Sequence, residues 1–435
     1  MKTVTIIGAG STVFAGELVT DFLLVDAIES GEFRLVDIDG ERLSLAHRFV
    51  EYLIERSGKS WTVASSTDRA ELLSGSDVVI NTIEVGGLAT VGFDYDIAMK
   101  YGVDQCIGDT IGPGGLFKSL RTIPSWLDIL RDIERLAPEA LVFNHTNPMS
   151  MTVLAASRVA DIPVYGMCHS VHNTIESIAR YLEVDGERLT FESAGVNHLA
   201  WITELYLDGV DAYPLLRERG RLPEVWEEDP VRLELMYELG AFPTESSGHV
   251  SEYLPYFRSQ RNNLQRFARA EYKGESGYYA HNWPTWRREN DEHLSKVLAG
   301  EEEYELERSG EYPSHVVEAM ITGKPRSVYV NIPNDGWIDN LPRAGVIEVE
   351  AIADANGIHP QPFGSLPPQL ASLDRRHIEF HDLAVTAIIE EDREAAVHAL
   401  MIDPLTSAVC VPSDIRAMFD EMVEAQRDYL PDFLS

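Results

Sequence analysis

Val4-Thr5-Ile6-Ile7-Gly8-Ala9-Gly10-Ser11-Thr12 opens the chain as a short apolar run, a glycine turn and two hydroxyl residues, ahead of a helical stretch from Phe14 to Leu24. Strand, glycine turn and helix in that order aim backbone N–H groups at a helix N-terminus, where a pyrophosphate is held. Gly8, Gly10, Ser11 and Thr12 are therefore the candidate contacts to a dinucleotide. Val13 stands where the usual fingerprint has its third glycine, so this turn alone is a weak signal. A second strand, Phe33-Arg34-Leu35-Val36-Asp37, ends in an acid that can accept from the ribose hydroxyls of NAD, or else serve the turn at Asp39-Gly40.

The alternation continues. Trp61–Ala64, Asp77–Thr82, Leu141–Asn144 and Val164–Met167 read as four further strands, and polar residues follow most of them. Ligands of an open α/β sheet bind at those carboxyl ends. Ile83 and Gly86 after the fourth strand and Asn144 at the end of the fifth extend the set of cofactor contacts. The pattern predicts an α/β protein, with a Rossmann-like, doubly wound parallel sheet over 1–192 and a mixed α+β substrate domain over 193–435. A chain of 435 residues suits two such cores.

The sixth strand ends in Cys168-His169-Ser170-Val171-His172, and Gly195-Val196-Asn197-His198 follows thirty residues on. A thiolate with an imidazole suits a transition-metal ion, leaving coordination positions open. A buried thiol beside histidines in a polar turn is the plainer reading. Gly108-Asp109-Thr110-Ile111-Gly112-Pro113-Gly114-Gly115-Leu116 reads as a tight, non-helical loop that lets backbone approach a ligand, with Asp109 at hand for a sugar hydroxyl or a metal-bound water. Phe242 to Tyr256 reads as a site loop dense in acids, hydroxyls, His249 and two tyrosines, and Asp208–Pro230 as an excursion rather than core. Arg375 to Leu434 has helical spacing.

Three unframed cysteines point to a reducing cytoplasm, and no apolar run approaches the ~18 residues of a membrane span. The net charge of −35 disfavours nucleic acid and anionic membranes as partners, leaving a small-molecule substrate. A homodimer or homotetramer is expected.

GAGST at 8, GDTIGPGG at 108, NHTNPMS at 144, CHSV at 168, AGVNH at 194, ESSGHVSEY at 245 and NDGWIDNLP at 334 together resemble, nearly end to end, the NAD- and manganese-dependent family 4 of the glycoside hydrolases. The CHSV tetrapeptide is similar to that of the melibiase-type α-galactosidases, and some α-galacturonidases share it. The resemblance implies oxidation of the sugar at carbon 3 by NAD, loss of the carbon 2 proton, elimination of the aglycone and addition of water. It implies Cys168 and His198 as ligands of Mn2+ or another divalent transition metal. It further implies Asn147 on the sugar hydroxyls, His169 as acid, and Tyr253 as base, with Tyr256 and Glu252 as alternatives. Asp109 joins the catalytic set, and Arg121, Glu252 and Arg287 are candidate substrate contacts. An α-galactoside such as melibiose is the expected substrate, ahead of a galacturonide that Arg287 or Arg288 would meet at carbon 6. The rival readings are an NAD-dependent 2-hydroxy acid dehydrogenase, with Arg121 on a carboxylate, and an NAD-occupied sensor without turnover.

Overall fold

In the computed structural model, which describes residues 2–434, the chain builds thirteen strands into one sheet among the described residues. They are β1 (Thr3–Ile7), β2 (Ser30–Val36), β3 (Ser60–Ser66), β4 (Val78–Asn81), β5 (Leu141–Asn144), β6 (Val164–Gly166), β7 (Leu189–Val196), β8 (Leu199–Leu207), β9 (Val210–Asp211), β10 (Phe242–Pro243), β11 (Arg326–Pro333), β12 (Val346–Asp354) and β13 (Gly357–Pro360). The order β3-β2-β1-β4-β5-β6 is parallel throughout and is that of a dinucleotide-binding Rossmann sheet. Such strands are covered on both faces, and Val78, Val79 and Ile80 of β4 are accordingly fully buried.

Beyond β6 the sheet continues antiparallel through β11, β12, β7, β8 and β10. The seam is narrow: Asn331 of β11 pairs with Gly166 of β6. The division drawn at residue 192 falls within β7, so both halves of the chain contribute to one sheet. One core cluster likewise runs from Val4 to Leu434.

Three local expectations are corrected. The glycine loop at 108–116 is only partly a loop, because the helix Gly112–Leu136 starts inside it. Pro113 sits at the first turn, where its missing N–H costs nothing. The segment 242–256 contains a helix, Ser247–Tyr253, whose N-cap Ser246 accepts from the backbone N–H of His249 at 3.3 Å. Asp208–Pro230 carries two short helices, Tyr213–Arg219 and Pro223–Glu228. Ala212, Leu216 and Val225 there bury against Ile178, Met236 and Phe242 as a second core, so this segment is packing rather than excursion.

Candidate active site

Val196 pairs with Leu199, so Asn197 and His198 form a two-residue connection between β7 and β8. His198 has φ +65 and Glu245 has φ +76. Left-handed backbone at non-glycine residues costs on the order of 1–3 kcal/mol and concentrates at functional sites. Here it aims both side chains at one point, which Asp109 and His249 reach from the loop before Gly112 and from the helix Ser247–Tyr253. One ligand-capable atom from each of Asp109, His198 and His249 lies within 4.8 Å of the others.

The hydrogen bonds around this group orient it for a cation. His249 Nδ1 lies 3.0 Å from Glu245 Oε2, which turns Nε2 towards Asp109 Oδ1 at 3.5 Å. His198 Nδ1 lies 3.1 Å from Thr110 Oγ1, leaving its Nε2 free to ligate. Fixing a ligand ring by its other nitrogen is the usual outer-shell device of metal sites. Asn147 Nδ2 donates to Asp109 Oδ2 at 2.9 Å, and its Oδ1 is buried with no hydrogen-bond partner. Burial pushes the His198 imidazole down to about 4, with His249 adding to the effect, so it is neutral and ready to ligate. Burial opposes a proton on His249, yet Glu245 and Asp109 raise its affinity well above the imidazole range. Burial likewise disfavours the charges on Asp109 and Glu245, but His249 holds both carboxyls well below their usual range. To ligate a cation His249 must give up that proton, which would leave Glu245 and Asp109 with a negative charge that suits a divalent ion.

A second constellation adjoins it. His169, 42% of its side chain exposed, lies 2.7 Å through Nδ1 from Glu311 Oε1, and His145 Nδ1 lies 3.2 Å from Glu311 Oε2. The Glu311 hydrogen bond raises the His169 imidazole to about 9, against its partial burial. Glu17, on the helix Thr12–Leu23, is raised to about 6 by burial and by Glu311.

Other expected residues are held elsewhere. Cys168 is buried beside Ser170 at the start of the helix Ser170–Leu182 and lies outside the three-residue group; burial pushes its thiol up. Tyr253 is buried, donates from its hydroxyl to the Asn197 carbonyl at 3.2 Å, and has its phenol pushed up by burial. Glu252 spends both oxygens on the turn before Asp109: it accepts from Cys106 N at 2.9 Å, Ile107 N at 2.5 Å, Gly108 N at 3.0 Å and Gln105 Nε2 at 3.0 Å. Its place is that of a turn anchor, not of a sugar contact. Arg121 is buried, grips Asp94 with bonds of 2.9 and 2.7 Å, and donates to Gln426, so its guanidinium is already spent on internal partners rather than on a substrate carboxylate. Arg287 lies 3.9 Å from Asp291, which pairs with Arg42 at the glycine turn. Tyr256 is half-exposed.

The glycine turn has the geometry of a nucleotide cradle. Gly8 has φ +92, and a Cβ there would stand 2.6 Å from the Thr82 carbonyl carbon. The helix Thr12–Leu23 begins without a side-chain cap on its first-turn N–H groups, which leaves them for an anion. Asp37 accepts from Gly10 N at 2.7 Å and Asp39 N at 2.9 Å, so it both shapes the turn and faces the ribose position. Gly86 has φ +82 in the turn after β4, and the Ile83 carbonyl accepts from Thr146 Oγ1 at 3.0 Å. Asn144 is committed to Asn81, Thr146 and Thr152 and tethers β5 to β4 rather than reaching out.

Sequence reasoning singled out His249 only as one residue of a dense segment, and it missed Glu245, Glu311 and His145 as members of the site. Glu245 lies inside the ESSGHVSEY segment, where density beside a glycine was the available signal. Glu311 lies 142 residues from His169, and nothing local announces it.

Residues 3–184 match the family model described as family 4 glycosyl hydrolase, and residues 193–406 match the family 4 glycosyl hydrolase C-terminal domain. The chain belongs to family 4 of the glycosyl hydrolases. Glycoside hydrolysis is its activity class. This family 4 chain is 38% identical over 443 residues to an alpha-galactosidase of Bacillus subtilis (strain 168), covering 100% of both chains. It is 30% identical over 450 residues to an alpha-galacturonidase of Thermoanaerobacter italicus, covering 98% of this chain and 96% of that one. A solved 6-phospho-alpha-glucosidase from gut microorganisms, in complex with NAD and Mn2+, has the same fold, with a TM-score of 0.83 at 21% identity over 99% of each chain.

Proposed function

We propose that the protein is an NAD- and Mn2+-dependent α-galactosidase that cleaves melibiose-like substrates by oxidation at carbon 3, elimination and water addition. The observation that carries the reading is the convergence of Asp109, His198 and His249 beside the carboxyl ends of a Rossmann sheet, in a chain 38% identical throughout to an alpha-galactosidase. NAD fits the Gly8–Thr12 turn with Asp37, and the metal fits His198, Asp109 and His249, with Cys168 the sulfur ligand that the family resemblance adds. Bound there, they supply a hydride acceptor that is regenerated each turnover and a Lewis acid for the carbon 2 and carbon 3 oxygens.

The chain's own residues do the proton work. Asn147, held by Asp109, presents its unpaired Oδ1 to a sugar hydroxyl. Tyr253 would take the carbon 2 proton, as the family resemblance implies; its phenol, raised by burial and then by Asp109, lies beside Thr110 and would have to ionise to do so. His169, with Nδ1 tied to Glu311, offers its other ring nitrogen to the leaving oxygen as the aglycone departs.

The test is turnover of nitrophenyl α-galactoside in heavy water with NAD and manganese. Galactose carrying deuterium at carbon 2, without stoichiometric build-up of NADH, is the expected result. Unlabelled carbon 2 would mean direct displacement at carbon 1, and accumulating NADH would mean a dehydrogenase.

A further inference from the structure

Beside Asp109 lies a cleft lined by Glu84, Thr90, Lys118, Arg121, Tyr279 and Trp283. It opens between the carboxyl end of β4, which Glu84 follows, and the helices Gly112–Leu136 and Tyr278–Ala299. Asp109 belongs both to the cleft wall and to the cation-binding group, so the cleft adjoins the place where a sugar would be chelated.

The charges on its walls are already paired. Lys118 Nζ is buried 2.7 Å from Glu84 Oε2 and 3.9 Å from Asp109 Oδ2. Arg121, one helical turn on, is engaged on both guanidinium edges by Asp94 and by Gln426. Lys118 is thus paired with Glu84 and Asp109, Arg121 with Asp94, and Asp109 also with His249, so every cation on the cleft wall already has a carboxylate partner. A uronic acid at carbon 6 would find no free cation and would sit beside Glu84 and Asp109 at a distance where like charges repel strongly in a partly buried cleft. A neutral hydroxymethyl group meets no such repulsion and can donate to Glu84. Tyr279 and Trp283, their rings 5.3 Å apart, complete the wall of the cleft.

We infer that Glu84 is a specificity-determining residue: by occupying Lys118 it makes the cleft accept a neutral galactoside and reject the galacturonide. This rests on the α-galactosidase reading above and names the side chain that separates the two substrate classes among its relatives. Glu84 is the more exposed partner, with 28% of its side chain accessible against 8% for Lys118, so it can be changed with little cost to packing.

The experiment compares wild type, Glu84→Gln and Glu84→Asp on nitrophenyl α-galactoside and nitrophenyl α-galacturonide, and measures galactose and galacturonate binding by calorimetry with NAD and manganese present. Glu84→Gln removes the charge and frees Lys118, so the galactoside-to-galacturonide ratio of kcat/KM should fall at least ~10-fold, equivalent to ~1.4 kcal/mol. Galacturonate should bind correspondingly tighter relative to galactose. Glu84→Asp keeps the charge one methylene further back and should fall between. Adding Lys118→Met to Glu84→Gln should abolish the gain. A wild type that prefers galactoside while Glu84→Gln keeps the same ratio overturns the inference and leaves the proposed function standing. A wild type that prefers the galacturonide overturns the inference outright. If wild type cleaves neither glycoside the proposed function fails, and unchanged relative binding of the two sugars in Glu84→Gln then overturns this inference separately.

Discussion

At the scale of single residues, the site works through pairs in which one side chain fixes the free atom of another. Glu245 holds His249 Nδ1, Thr110 holds His198 Nδ1, and Asn147 holds Asp109. Removing an outer partner of this kind typically lowers metal affinity ~10–100-fold. Titration of manganese into the NAD-free protein should therefore show that loss for Glu245→Gln, and a larger one for His198→Ala. Cys168→Ser should also lower affinity at least ~10-fold, because a neutral hydroxyl replaces a soft thiolate. An unchanged affinity in that variant would confine the ligand set to Asp109, His198 and His249. Much of this was legible beforehand: Asp109, Asn147 and His198 were named from motifs, and the structure brings them together. Glu252 and Arg121 were not readable in the same way. A charged residue near a motif looks the same in sequence whether it faces a ligand or an internal partner, and only the fold shows Glu252 on the turn at 106–108 and Arg121 on Asp94 and Gln426.

Elements were legible where burial forces composition. A parallel strand covered on both faces must be an apolar run, which is why Leu141–Asn144 appears as expected. The helix Ser247–Tyr253 escaped because every residue in it is buried, polar and apolar alike, and no 3.6-residue period survives. The short helix Pro404–Val409 shows what such buried polar caps cost. Asp403 caps it, accepting from Thr406 N at 2.8 Å through Oδ2, while Oδ1 is buried without a partner. Burial raises its pKa from 3.8 to about 6. The folded state thus binds this proton more tightly than the unfolded chain does. The group's contribution to stability is greatest below pH 4 and is lost as pH rises through about 6. The full penalty is on the order of 3 kcal/mol. Asp403→Asn keeps a capping oxygen and removes the charge. Urea unfolding should show wild type losing roughly 1 kcal/mol relative to that variant between pH 5 and pH 7.5. Parallel pH profiles for the two proteins would mean that the Asp403 charge is relieved elsewhere.

Across the whole molecule, the nucleotide half and the half carrying His198 and His249 are joined by hydrogen-bonded backbone as well as by packing. The parallel strands end at β6, and β11 continues the sheet through the Asn331–Gly166 pair. A Cβ on Gly166 would stand 2.6 Å from the Met149 sulfur and 2.8 Å from the Asn331 Cβ, so the two halves close on each other only because that position carries no side chain. The site depends on this closure, since Asp109 comes from one side of the seam and His198 and His249 from the other. With one core cluster spanning both halves, heating should give a single calorimetric transition. Gly166→Ala forces the strands apart or displaces Met149, an overpacking that costs about 1–3 kcal/mol. For a chain of this length that lowers Tm by about 1–3 °C. Because the seam also sets the spacing of the metal group, the variant should lose manganese affinity together with stability, although Gly166 touches no ligand. Two separated transitions in wild type, or a Gly166→Ala variant with lowered Tm and intact manganese binding, would show that the halves hold the site without the seam.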